Sequence, residues 1–360
     1  MRPSSTRAFV VGIVGLSFVL VHVLVILSSF KWDPTILLAQ GDKAPREASY
    51  AERLLGRDVL KRPILGHDGR FFFAQANDPW YLEPSLHAVV LDLPVYRAQR
   101  MLYPTIAGGF GILPPNAVVW TLVGVNVLAV GIGTWATAMV AMAMGASRWV
   151  GLAFALNPGV LAEVDIDGGG ALALALGMAG ILCLMSDRVA LSSITLAGAV
   201  LARELMILFV FGAIFGYWLQ YRRLRIVPLV VGVACAFVWR LYVLQRLADL
   251  QLETLGDFPE NALTMQPFAG PVAAIPIWLE SRAKLGLIVA LVAMMVMFLV
   301  RGVTSRTPVA WASMPFLVLA TFSAVVVWRE PYDLARAVAP VFTAYPLLLF
   351  QRPMTEHVFE

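Results

Sequence analysis

A chain of 360 residues with 59% hydrophobic and only 14% charged side chains cannot cover a soluble surface, because an ordinary soluble domain carries roughly 25% charge. The mean hydropathy of +0.78 excludes intrinsic disorder, a coiled coil, a disulfide scaffold and a soluble enzyme, and leaves an all-α polytopic membrane protein. The net charge of +4 matters less than where the charges sit, and nothing in their pattern suggests nucleic acid as a partner.

The first apolar run, 8–30, is long enough to cross a hydrocarbon core of about 30 Å. It is too long for a signal peptide, and no small-residue cleavage site follows it. Residues 31–100 then hold nineteen of the charged residues, ten basic and nine acidic. This polar stretch reads as a long first loop, 31–113, with helical pieces near 44–60 and 97–112. Pro114-Pro115 closes it.

After the loop, apolar runs alternate with short polar punctuation. Spans are expected at 116–143, 148–162, 169–186, 189–201, 204–219, 226–245, 284–300, 308–327 and 334–350, about ten transmembrane helices with the first. The alternative at 189–219 is one long helix crossing Ala202-Arg203-Glu204. Charge bias favours two short ones. With the amino terminus inside, the even-numbered connections carry Arg148, Arg188, Arg222, Arg223, Arg225, Arg301 and Arg306, as cytoplasmic loops should. Both termini are then cytoplasmic and the first loop faces outward. The whole chain, 1–360, reads as one membrane domain: an extracytoplasmic loop with interfacial helices (31–113) and a bundle (114–350).

Ionisable residues in or beside spans are costly and are functional candidates by default. In chain order, Asp68 stands between Gly66-His67 and Gly69, on backbone flexible enough to approach a substrate closely. Asp78-Pro79 follows ten residues on. Asp68 in a turn of its own backbone is the plain alternative. Arg97 and Arg100 share a helical face beside Tyr96 and suit a phosphate; anchoring to ordinary headgroups is the bland reading. Glu163, Asp165 and Asp167 precede Gly168-Gly169-Gly170. Three carboxylates in five residues leave room for a divalent metal bound through oxygen, or serve only as helix caps. Arg203-Glu204 interrupts two short spans, as structural pairing or as part of a cavity. Arg329, Glu330, Asp333 and Arg336 flank Pro331, as phosphate contacts or as helix-end charges. Cys183 and Cys235 read as small hydrophobes.

The layout resembles the GT-C superfamily of integral-membrane glycosyltransferases. The likeness rests on one span, a long outward loop with an early acid (Gly66-His67-Asp68-Gly69), and many spans after it. Local patterns add to it: Asp68-Gly69-x-Phe-Phe with Asp78-Pro79, then Tyr96-Arg97-x-x-Arg100-x-Leu102-Tyr103-Pro104, Ala202-Arg203-Glu204, and Arg329-Glu330-Pro331-Tyr332-Asp333-x-x-Arg336. The resemblance implies transfer of a sugar from a polyprenyl-phosphate donor to an extracytoplasmic acceptor, with inversion, in a bacterial inner or plasma membrane. Asp68 would be the general base. Asp78, Arg97, Arg100, Arg203, Glu204, Arg329, Glu330, Asp333 and Arg336 would bind substrate or its phosphate. No cofactor is required. A transporter of a lipid-linked or small anionic substrate and a non-catalytic membrane assembly protein are the competing readings.

Overall fold

The computed structural model describes residues 5–43, 45–64, 66–248 and 263–352. Its elements are almost wholly helical, with one two-residue parallel pairing of Gln40–Gly41 with Lys61–Arg62. The expected apolar runs become helices because they lack polar interruption and begin at good helix starters. Pro115, Pro308 and Pro331 each open a helix at its first position, where a missing N–H costs nothing.

Among the described residues four helices are long and apolar enough to cross a membrane: Ser5–Ser29, Pro115–Ala143, Val227–Leu247 and Arg282–Gly302. The pair Pro331–Ala337 and Ala339–Phe350, bent by 70°, makes a fifth if it counts as one span. The helices Gly170–Met185, Val189–Ala202, Met206–Tyr221, Ala269–Leu279 and Pro308–Thr321 are shorter. At 1.5 Å per residue, the 14 residues of Val189–Ala202 reach about 21 Å, short of a full hydrocarbon core. Length alone therefore accounts for four of the ten expected spans, or five with the bent pair.

Several boundaries differ from expectation. The run 148–162 is broken: Asn157 caps the helix Pro158–Val164, its Oδ1 accepting from the Gly159 N–H at 2.8 Å, and the residue before a proline resists helix. The run 308–327 stops at Thr321, where the Thr264 N–H bonds to the Phe322 carbonyl and the Phe268 N–H to that of Thr321. The helix Ala269–Leu279 was not expected at all. The stretch 189–219 is two helices, separated by extended backbone at Arg203 (φ −155°, ψ 117°).

The helices pack closely through small residues, as membrane helices do. Ser5–Ser29 lies on Pro115–Ala143, and Met206–Tyr221 on Pro308–Thr321. A Cβ on Gly212 would overlap the carbonyl of Trp311. The first loop folds over one end of this bundle. Its helices Gly69–Asn77 and Leu102–Ala107 enclose Phe72, Phe73, Tyr103 and Leu122. Many large apolar side chains stay exposed, including Phe9, Val21, Phe237, Val289 and Val300. Outward-facing aliphatic side chains on long helices suit a lipid bilayer rather than water.

Candidate functional site

The site begins with two glycines. Gly66 has φ 92°, a left-handed conformation open to glycine without strain. It turns the chain so that the His67 N–H reaches the Ala39 carbonyl at 3.1 Å. Gly69 then starts a helix pressed against the 166 turn, where any Cβ would overlap the Ile166 carbonyl. Asp68 lies between them. It makes no capping hydrogen bond, so the turn reading for its carboxylate does not hold.

That carboxylate is instead held by three guanidiniums. Arg97 Nη1 donates to Oδ1 at 2.7 Å, and Arg100 Nη1 and Arg336 Nη2 donate to Oδ2 at 3.1 and 2.9 Å. Each arginine holds further acceptors. Arg97 clamps Asp92 with two bonds of 2.8 Å. Arg100 clamps Glu204 with bonds of 2.8 and 2.9 Å and reaches the Tyr96 hydroxyl. Arg336 bonds Glu163 Oε1 at 2.9 Å and pairs with Asp333 at 3.5 Å. Arg203 joins on Glu163 Oε1 at 3.1 Å and on the Arg336 carbonyl at 3.4 Å.

Local structure explains the arrangement. Extended backbone at Arg203 sends successive side chains to opposite sides, so adjacent Arg203 and Glu204 take different partners. The glycines after Glu163 make room for it. A Cβ on Gly168 or Gly170 would overlap its carboxylate, and the Gly170 N–H bonds to Oε2 at 3.1 Å. The cluster is tight: the void among Asp68, Arg100, Glu163 and Arg203 is about 10 Å³, room for roughly one water. Burial pushes the Asp68 carboxyl up, but Arg97, Arg336 and Arg100 outweigh it and hold it well below the usual range.

Other candidates lie elsewhere. Asp78 is not in the cluster; it organises its own turn, accepting from the Leu82 and Glu83 N–H groups at 2.9 and 2.8 Å and bonding His87 at 3.0 Å. Glu330 pairs with Lys284 at 2.9 Å. The three acids proposed for a metal splay apart. Glu163 goes to the arginines, Asp165 to His22 at 2.6 Å, and Asp167 is fully buried with its oxygens unbonded. Asp167 has φ 46°, so the chain leaves its helix between Asp165 and Asp167. Among the described residues no group of three His, Cys, Asp or Glu converges on a metal position.

Beside the cluster opens a cavity of about 770 Å³. Lys43, Arg62, His67, Asp165, Arg329 and Tyr332 line it. The Tyr332 hydroxyl is hydrogen-bonded to His67 Nε2, with the rings edge to face. Burial, then the charge of Arg336, lowers His67 to about 4, so its imidazole is neutral near pH 7. Lys43, Arg62, His22 and Lys284 were not singled out from sequence. His22, an ionisable residue inside the first apolar run, carried a readable signal; the other three did not.

The class this defines is a helical protein whose apolar helices suit a lipid bilayer, with a charged site where its first loop meets the bundle. No family model, curated protein or solved structure matches the chain.

Proposed function

We propose that the protein is an integral-membrane glycosyltransferase of GT-C type. It takes a sugar from a polyprenyl-phosphate donor and passes it, with inversion, to an acceptor outside the cytoplasm. The supporting observation is that Asp68, the early acid of the first loop, gathers arginines from the loop and from the last helix pair directly beside a cavity that its neighbour His67 lines. The proposed setting is a bacterial inner or plasma membrane. The chain spans it about ten times, with both termini cytoplasmic and residues 31–113 outside.

In this reading Asp68 accepts the proton of the acceptor hydroxyl. The acceptor oxygen forms the new bond to the anomeric carbon, and the lipid phosphate leaves with the electron pair of the broken bond. Arg97, Arg100, Arg203 and Arg336 stabilise the charge that develops. Without donor, the guanidiniums on Asp68 make it a poor base. An arriving phosphate competes for them, frees the carboxylate and raises its proton affinity. The base is then active only when the donor is present, which suppresses idle chemistry.

The test is a turnover assay on purified protein in membranes, with radiolabelled polyprenyl-phosphate sugars. Wild type should release the sugar, and the near-isosteric Asp68→Asn should be slower by at least about 100-fold, the scale of losing an acid–base group. A folded wild type without turnover would sink the reading; Asp68→Asn at wild-type rate would remove Asp68 from its role. A transporter for a small anion is the second reading, favoured by the cations of the cavity. It requires that cysteines placed at Lys43 or Arg329 react with reagent from both sides.

A further inference from the structure

The four arginines of the Asp68 cluster each hold at least one carboxylate. Three other cations do not. Among the described residues, Lys43, Arg62 and Arg329 have no carboxylate within 4 Å, and all three line the same open cavity. The acids in its wall are engaged: Asp165 by His22 and Glu330 by Lys284.

Arg62 is the best placed of the three. It is half-buried, and its Nη2 is fixed by two backbone carbonyls, Ile36 at 2.9 Å and Asp165 at 2.8 Å. Its Nη1 and Nε have no partner among the described residues. A guanidinium held by carbonyls keeps its full charge and a set orientation while two donor positions stay open. That is the geometry of an oxyanion receptor. Lys43 and Arg329 are exposed and add mobile charge at the rim. The neutral His67 and the Tyr332 hydroxyl add uncharged polar groups to the same lining.

We propose that this cavity is a phosphate-binding site, separate from the Asp68 cluster, in which Arg62, Lys43 and Arg329 hold a phosphate-class oxyanion. The proposal goes beyond the transferase reading and does not depend on sugar transfer. A lipid-borne phosphate and a free phosphate present the same group, and the volume of about 770 Å³ accommodates either head within the usual range of ligand pockets.

The test is binding of inorganic pyrophosphate and of geranyl phosphate to the full-length protein in zwitterionic nanodiscs, by calorimetry. Wild type should bind at least one of them saturably, more weakly as salt rises. Arg62→Gln should weaken binding at least tenfold. Arg62 also ties two chain segments, so the double variant Lys43→Gln/Arg329→Gln is measured as well; among the described residues neither side chain makes a hydrogen bond or an ion pair, and the loss should again be at least tenfold. Tighter binding of geranyl phosphate than of pyrophosphate supports the site with a lipid source; equal binding supports it with a free source. No saturable binding of either probe overturns the proposal. So does binding that both variants leave unchanged.

Discussion

Two charged regions lie side by side where the first loop meets the bundle, and they handle cations in opposite ways. In the Asp68 cluster, four guanidiniums face five carboxylates in a space with almost no void. In the adjoining cavity, three cations face open volume and carboxylates that are already taken. Without a ligand the first arrangement also holds chain segments together, because Arg100, Arg203 and Arg336 bridge groups far apart in sequence. The second leaves its charge available to a ligand. Residue type alone does not distinguish them: Arg336 and Arg329 stand seven positions apart and serve the two different regions.

The sharpest way to break this comparison is to remove one arginine from each region. Arg336→Met leaves Asp68 and Glu163 each short of a buried partner. An uncompensated buried charge costs about 3–5 kcal/mol, so thermal denaturation should drop steeply. Arg329→Gln removes a side chain with no bond among the described residues and should stay within about 0.5 kcal/mol of wild type, as surface changes do. Equal effects from the two variants would erase the distinction between the regions.

Acid should separate them next. The Asp68 carboxyl is depressed in the folded protein. Its contribution is therefore complete above the unfolded value of about 3.9 and is lost only as pH falls through the lower folded value. Between pH 7 and 4.5 Asp68 itself should add no slope. His67 behaves oppositely within that window. Its folded value is about 4 against about 6.5 unfolded, so the unfolded chain binds more protons between them and stability falls as pH drops. Asp68, Tyr332, Arg336, Arg62 and Arg70 surround this imidazole. The melting temperature of wild type should decline from pH 6.5 to 4.5 more than that of His67→Gln. Parallel curves would show that His67 is not held neutral.

Much of the helix pattern was legible because long apolar runs and helix-starting prolines are local signals. The break at Arg203-Glu204 was legible from the charge bias of the loops on either side of it. The helix Ala269–Leu279 was not: Gly270, Pro271 and Pro276 interrupt its apolar pattern. The residues that build the cluster were also visible, since charge beside a greasy span demands a partner. Their pairing was not. Asp68 and Arg336 are 268 positions apart, and no local rule brings them together. Asp78 lies outside the cluster for a reason that was local: a carboxylate four and five positions before two N–H groups closes its own turn. The acids at 163, 165 and 167 looked like one set because they are close in sequence. They separate because the helix ends between them.

Those acids also provide the smallest expected effect. Asp167 is as buried as any group in the cluster, yet no arginine contacts it. Burial raises its carboxyl well above the usual range, with Asn126 and the more distant charge of Arg62 opposing. Burial thus disfavours the charged form of this side chain, and asparagine has nearly the shape of the neutral acid. Asparagine also tolerates the left-handed backbone this position adopts. Asp167→Asn should shift stability by no more than about 0.5 kcal/mol, the scatter of harmless substitutions. Asp68→Asn should cost several times that, because three guanidiniums lose their counter-charge. Thermal denaturation of both variants decides the matter. A large loss at Asp167 would mean that its carboxylate is charged, and that burial without an arginine is not what separates it from Asp68.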